Sequence, residues 1–339
     1  MQNQDLAPLI SIIVPIRGRK DDLRRLLDSL CPQAAELRSL GGELLVVDDG
    51  SREPLAELVG AYESRLPVKY FRRPSEGRSK ARNFGAEQSL AHYLLFVDSD
   101  CEFPPGFVSR LRAVLSIQKP EFWGGPDRAH STHSNFSQAV AYSMSSLLTS
   151  GGLRVRASSR VSRFYPRGMN LGVRRQLFLD VGAFREMMGE DIELGLRLED
   201  VGVRARCVEE LFIFHRHRSS PREFLAKSFE AGFSKSEIYR VSGGSGLQWL
   251  HFLPSLGLVG FAGCSLIAVQ EAFTLALLSL AGLAVLARIL GLKLAAALWV
   301  PWVFFLQTLG FGTGFLIGFV FLRAPRLRAH LLRRYGYSS

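Results

Sequence analysis

The sequence predicts an α/β domain, a parallel sheet covered by helices on both faces, followed by an apolar helical region. Three observations carry this. Short apolar runs alternate with helical patterns over residues 9–125, which is the pattern of strands joined by crossover helices. Two of those runs end in paired acids, at Asp48-Asp49 and Asp98-Ser99-Asp100. Long, predominantly apolar stretches free of Asp, Glu, Lys and Arg lie in the last third of the chain.

Element by element, Leu9–Pro15 (LISIIVP) is the first strand. Asp21–Leu30 is a helix, with Leu23, Leu26, Leu27 and Leu30 at helical spacing. Leu44–Val47 is the second strand and Val68–Phe71 the third. Ser79–Leu90 is a helix, and Tyr93–Val97 is the fourth strand. Ligands of such sheets bind beyond the carboxyl ends of the strands, so both acid pairs belong to that edge. In an extended Asp-x-Asp both side chains point the same way, and Asp98 and Asp100 can then share one hard divalent cation. Acids at strand ends also serve as turn formers and helix caps.

Several later segments add chemistry. Gly77–Asn83 opens a helix, where free N–H groups can hold an anion, and Arg82 can clamp a diphosphate. Gly168-Met169-Asn170-Leu171-Gly172 reads as a tight polar loop. Glu190 and Asp191 stand in the first turn of a predicted helix. The dipole favours acids there, and a carboxylate there can also be a general base for a hydroxyl. His215 and His217 follow the strand-like run Leu211–Phe214. At i, i+2 they share a face, and they serve either as a basic surface patch or as one metal ligand. Arg154, Arg156, Arg160, Arg163 and Arg167 lie in a Gly- and Ser-containing stretch, 151–167, that reads as a mobile loop.

The chain has 339 residues, a formal net charge of +11 and 47% hydrophobic residues, with a positive mean hydropathy of +0.11. Charge and apolarity are therefore segregated. Val241–Gln270, Ala272–Ala287 and Leu294–Leu322 each lack Asp, Glu, Lys and Arg. A spanning helix needs about 20 apolar residues, so about three membrane segments are expected within 249–322. With Pro301, Gly310, Gly312, Gly314 and Gly318 the last reads as a broken or hairpin element; the alternative is a re-entrant first segment, with Pro254 and the glycine cluster of Val241–Gly246 before it. Residues 221–248 read as an interfacial amphipathic helix and linker, and 323–339 as a basic cytoplasmic tail. The polar Met1–Pro8 is no signal peptide, so residues 1–240, with the α/β domain over 1–220, are expected on the cytoplasmic side of a multi-pass membrane protein. Cys31, Cys101, Cys207 and Cys264 are far apart and read as free thiols. A basic nucleic-acid binder would carry its Arg residues on a soluble surface without apolar spans, and that class is set aside.

Taken in order, these pieces resemble the family 2 glycosyltransferases with the GT-A fold. The matching segments are Ser11–Arg17, Val46–Ser51, Gly77–Asn83, Phe96–Asp100, Gly168–Gly172, Val181–Phe184 and Glu190-Asp191-x-Glu193-Leu194-x-x-Arg197. The resemblance implies a Rossmann-like mixed sheet and an inverting enzyme using a UDP- or GDP-sugar with Mg2+ or Mn2+. It implies donor contacts from Pro15, Arg17, Asp49, Arg82, Asp98 and Asp100. It implies a metal on Asp100 with His215 or His217, Asp191 as the base, and Gly168, Asn170 and Glu190 on the acceptor side. Two departures matter. Ile16-Arg17 stands where tyrosine and asparagine are common, and the Gln-x-x-Arg-Trp motif of processive members is absent after Asp191. Transfer of a single sugar to a lipid-linked or saccharide acceptor, beside membrane lipids, is the expected activity. A polyprenyl-phosphate glycosyltransferase and a non-catalytic membrane protein of the same fold are the alternatives.

Overall fold

The computed structural model describes residues 9–128, 134–145, 164–215, 220–244, 249–267 and 269–321. They fall into two compact units, one holding residues up to 128 with 164–215, the other holding 134–145 with 220–321. His217, residues 151–163 of the proposed loop and the 323–339 tail lie outside the described residues.

The first unit contains β1 (Ile10–Ile16), α1 (Lys20–Leu30), α2 (Ala34–Ser39), β2 (Gly42–Asp49), α3 (Ala56–Gly60), β3 (Val68–Arg73), α4 (Arg78–Gln88) and β4 (Tyr93–Phe96). It continues through β5 (Cys101–Glu102), α5 (Phe107–Ala113), β6 (Phe122–Gly124) and β7 (Asp127–Arg128). The second unit's α6 (Asn135–Ser145) interrupts it; β8 (Leu171–Arg174), α7 (Arg175–Asp180), α8 (Glu190–Asp200), β9 (Arg206–Cys207) and β10 (Ile213–His215) complete it.

The main sheet has the order β3-β2-β1-β4-β8-β6-β9. β1 to β4 are parallel, β8 is antiparallel to both β4 and β6, and β9 is parallel to β6. The sheet is thus mixed. Leu171 and Gly172 belong to β8 rather than to a loop, because they pair with β4 and β6. Alternate residues feed two cores. Ile12, Val14, Leu44, Val46 and Leu95 join α1's leucines on one face, while Ile13, Leu45, Val47, Leu94 and Phe96 meet α4, α7 and α8 on the other. Burial of both faces explains the near-continuous apolar runs. The register sets Ile16 beside Asp48 and Ile13 beside Phe96, which brings the ends carrying Asp49 and Asp98 to one edge. A second sheet, β5-β10-β7, stands apart from this one.

The second unit is helical: α6, α9 (Pro221–Val241), α10 (Leu253–Ile267), α11 (Val269–Ile289), α12 (Leu294–Ala297) and α13 (Val300–Phe321). α13 is continuous, against the expectation of a broken element. Pro301 falls in its first turn, where a missing N–H costs nothing. Its glycines are contact points: a Cβ on Gly314 would lie 2.1 Å from the Phe229 carbonyl oxygen. Gly310, Gly314 and Gly318 repeat every four residues and face Ser228, Phe229 and Ser236 of α9, the small-residue spacing that lets two helix backbones approach. That contact occupies one face of α9, so an interfacial role for 221–248 concerns only the opposite face.

Among the described residues, one helical stretch, Leu294–Val320, is long and apolar enough to cross a membrane. Leu253–Gly263 and Ala276–Ile289 are shorter apolar helices; at 1.5 Å per residue the first reaches roughly half of a hydrocarbon core about 30 Å thick. The expectation of about three spanning segments in a multi-pass protein is therefore not supported.

Candidate active site

The chain does not run extended through Asp98-Ser99-Asp100. The Cys101 N–H donates to the Asp98 carbonyl at 3.1 Å, closing a turn. The expectation that both carboxylates point the same way is corrected accordingly, and they go to different partners. Asp98 accepts from Arg82 at 2.6 Å. Asp100 accepts from Arg19 at 2.8 Å through Oδ2, while its Oδ1 lies 3.4 Å from His215 Nε2. That Oδ1 atom is buried without a hydrogen bond.

The sequence points to Arg82 as a diphosphate clamp. It is instead enclosed, at 1% exposure. Its guanidinium spans Asp98, Glu190 at 2.8 Å and the Gly168 carbonyl at 3.1 Å. Gly168 must stay small, since a Cβ there would lie 2.6 Å from the Arg82 guanidinium. The anion cradle read at residues 77–83 is likewise partly filled from within. Asp49 accepts from the N–H groups of Glu76 and Gly77 at 2.9 and 3.0 Å. Asp48 is buried and takes Ser51 N–H and the Tyr70 hydroxyl. Pro15 is buried within β1, and Arg17 is exposed just beyond it.

Gly168, Asn170 and Glu190, expected on the acceptor side, are buried. Asn170 donates to the Leu211 carbonyl at 2.7 Å, which anchors the approach to β10. Glu190 receives Arg78 as well as Arg82. These three residues hold the frame of the site. Asp191, beside Glu190 in the first turn of α8, accepts from the Gly168 and Ile192 N–H groups at 3.0 and 2.8 Å. The Arg167 Nε lies 3.4 Å away. Burial pushes the Asp191 carboxyl up, but Arg167, the Gly168 N–H, Arg82 and Arg78 together hold it below the ordinary carboxylate value. It is ionised at neutral pH.

Ligand atoms of Asp100, Cys101 and His215 all lie within 4.8 Å of one another. Two ligands at right angles on a cation with bonds of about 2.1 Å sit about 3.0 Å apart, close to the 3.4 Å between Asp100 Oδ1 and His215 Nε2. With the buried Oδ1 lacking a hydrogen bond, this pair fits a hard divalent cation. Cys101 fits less well. Burial first, and then Asp100, Asp98 and Asp127, push its thiol well up, so it stays protonated. Burial opposes charge on His215, but Asp100, Asp127 and Asp98 more than offset it and raise the imidazole's pKa.

Two residues of this edge escaped the sequence reading. Arg19, in a left-handed backbone conformation at φ 53°, bridges Asp22 and Asp100. Its signal was its place just past the first strand, at the same edge as the acids. Asp127, whose Oδ2 lies 3.9 Å from His215 Nδ1, gave no local signal, because only the pairing of β7 with β10 brings it there.

The fold is the GT-A fold of glycosyltransferases. Residues 11–135 match the family model described as Glycosyl transferase family 2, and the chain carries a family 2 glycosyltransferase domain. It is similar to the pre-mycofactocin glycosyltransferase of Mycobacterium tuberculosis, with 27% identity over 269 residues, 73% of this chain and 53% of that protein. This chain therefore spans about half the length of that relative. Glycosyltransferase AglE of Haloferax volcanii is 26% identical over 69% of this chain and 75% of its own. Among solved structures, the mannosyltransferase PcManGT from Pyrobaculum calidifontis, in complex with GDP-Man and Mn2+, aligns with a TM-score of 0.60. That alignment has 17% identity and covers 95% of this chain and 89% of that one, which establishes the shared fold.

Proposed function

We propose that the chain is an inverting glycosyltransferase that moves one sugar from a UDP- or GDP-sugar to an acceptor hydroxyl on a lipid-linked or envelope saccharide precursor. One observation carries this reading. Arg82 ties the Asp98 turn to Glu190, and Asp191 is the next residue. The acids at the strand edge and the ionised carboxylate at the start of α8 are thereby parts of one braced assembly. The donor nucleoside lies along the strand edge against Pro15, Arg17, Asp49 and Asp98. Asp100 and His215 hold Mg2+ or Mn2+, which when bound neutralises charge on the departing diphosphate. The fold neighbour crystallised with GDP-Man and Mn2+ supports this donor and cation class.

Asp191 takes the proton of the acceptor hydroxyl. The oxygen attacks the anomeric carbon as its bond to the diphosphate breaks, and a single displacement inverts the centre. A polyprenyl-phosphate acceptor would need little help from a base, so dependence on Asp191 separates the two readings. Asp191→Asn is expected to abolish transfer while leaving donor affinity, measured calorimetrically, intact; unchanged turnover would overturn the base assignment. The substrate experiment screens nucleotide sugars for hydrolysis by the purified chain with and without Mn2+, followed by mass spectrometry of lipid products.

We further assign a membrane-facing role to the helical unit. Leu256, Val259, Leu277, Leu278, Ile289 and Trp302 are each 47–73% exposed, and exposed apolar surface on this scale marks a lipid or partner contact. Co-sedimentation with liposomes is the test, and a chain that stays in the supernatant without detergent would refute it.

A further inference from the structure

The cation reading leaves one carboxylate without a role. Asp127 neither caps a helix nor stands in any of the matching motifs. It sits on β7, next to β10, and β10 ends at His215. On the other side of β10, His215 pairs with Cys101, the residue after Asp100. The imidazole is therefore flanked by two carboxylates on its two nitrogens. Asp100 Oδ1 lies 3.4 Å from Nε2, and Asp127 Oδ2 lies 3.9 Å from Nδ1. The His215 and Asp127 side chains are 18% and 19% exposed, so water competes only weakly for either.

A neutral imidazole carries one proton, on one nitrogen or the other. A histidine that ligates through Nε2 must keep its proton on Nδ1, and a carboxylate facing Nδ1 selects that tautomer, orients the ring and raises its basicity. Among the described residues Asp127 is placed to do so, since Asp100 faces the other nitrogen. The separation of 3.9 Å is an ion-pair distance rather than a hydrogen bond.

We propose that Asp127 is a positioning residue for His215: it holds the imidazole in the Nδ1–H tautomer, so that Nε2 and Asp100 Oδ1 together receive a divalent cation. This rests on the cation reading of Asp100 and His215, and it adds a residue outside that ligand set. It also explains the second sheet. The order β5-β10-β7 puts the Asp100 turn, His215 and Asp127 on three adjacent strands, with the histidine on the central one.

The test uses the full chain and Mn2+ alone, with bound metal counted by electron paramagnetic resonance. Loss of an outer-shell partner of this kind costs about 10–100-fold in metal affinity. Asp127→Ala is expected to show a loss of that size. Asp127→Asn, which keeps an oxygen acceptor, is expected to recover part of it. A general structural role would not give that graded response. The second readout is the pair of His215 ring 15N shifts in the Mg2+-loaded chain, labelled at histidine and assigned with His215→Gln. The parent is expected to show a protonated Nδ1, and Asp127→Ala a shift toward protonated Nε2. Mn2+ affinity within about twofold of the parent in both Asp127 variants, or an unchanged tautomer, would overturn the proposal. If Asp100→Ala and His215→Gln leave Mn2+ binding untouched, the cation reading itself has failed. Loss in those two variants with no effect at Asp127 refutes only the inference made here.

Discussion

Arg82→Met separates two accounts of the same arginine. In one, Arg82 is an open clamp for the donor diphosphate. In the other, it is the brace between the strand edge and α8. The geometry favours the brace, since the side chain is 1% exposed and paired with Glu190, at 2%, and Asp98, at 21%. Removing one partner of a buried pair costs about 3–5 kcal/mol, because the other charge is left uncompensated. Here Glu190 keeps Arg78 at 3.0 Å and Asp98 is partly solvated, so the lower end applies, about 3 kcal/mol. For a unit of this size that lowers the melting temperature by about 6–12 °C. Adding Glu190→Gln removes the stranded charge, and the double variant is expected to recover about 1–2 kcal/mol. The assay is thermal and urea unfolding of the four chains of the cycle, beside calorimetric donor binding. Unfolding within about 2 °C of the parent, together with lost donor affinity, would refute the brace and restore the clamp.

Three further outcomes are expected. Gly314→Val puts a side chain where the Phe229 carbonyl lies 2.1 Å from an added Cβ and should destabilise the helical unit by about 1–3 kcal/mol. Gly260→Val, in open space, should cost under about 1 kcal/mol in the same melts. Tyr62 and Tyr70 are pushed up to about 12, by burial and then by hydrogen bonds to Asp28 and Asp48. Their folded pKa values exceed the unfolded value of about 10, so their contribution is complete below pH 10 and lost as pH rises through 12; Tyr70→Phe should flatten that loss in urea titrations. The acid limb of the pH–rate profile for transfer should fall below the ordinary carboxylate pKa of about 4, because Asp191 is held ionised. An acid limb near pH 6 would reassign the base.

What the sequence made legible divides by range of interaction. The first four strands, α1 and α4 follow from local apolar periodicity, and each lies within a residue or two of its expected span. Short strands such as β7 and β10 hold only two or three residues, too few for any period to register. Their existence depends on partners far along the chain, and with them went Asp127. The same limit explains the glycines of α13. Read alone, four glycines in one apolar run suggest a break. Set against Ser228, Gly232 and Ser236 of α9, spaced by the same four residues, they describe one continuous helix packed at close range.

Arg82 shows how a residue's surroundings bear on the role that its type and motif suggest. An arginine at the start of a helix beside acidic strand ends does mark a charged site. Which anion it meets depends on whether the chain itself supplies one first. Here Glu190, more than a hundred residues away in sequence, reaches the guanidinium from the start of α8, and Asp49 does the same for the N–H groups ahead of α4. The chain has filled its own inner anion positions with carboxylates. On the proposed reading, the groups left for a phosphate-bearing donor are the more exposed ones at the same edge, among them Arg17, and a cation that Asp100 and His215 would hold. On this argument donor affinity should depend more steeply on the divalent cation than on Arg82. Titrating nucleoside diphosphate binding with Mn2+, in the parent and in Arg17→Ala, measures that division directly. Binding indifferent to both would mean that the donor sits elsewhere on the edge.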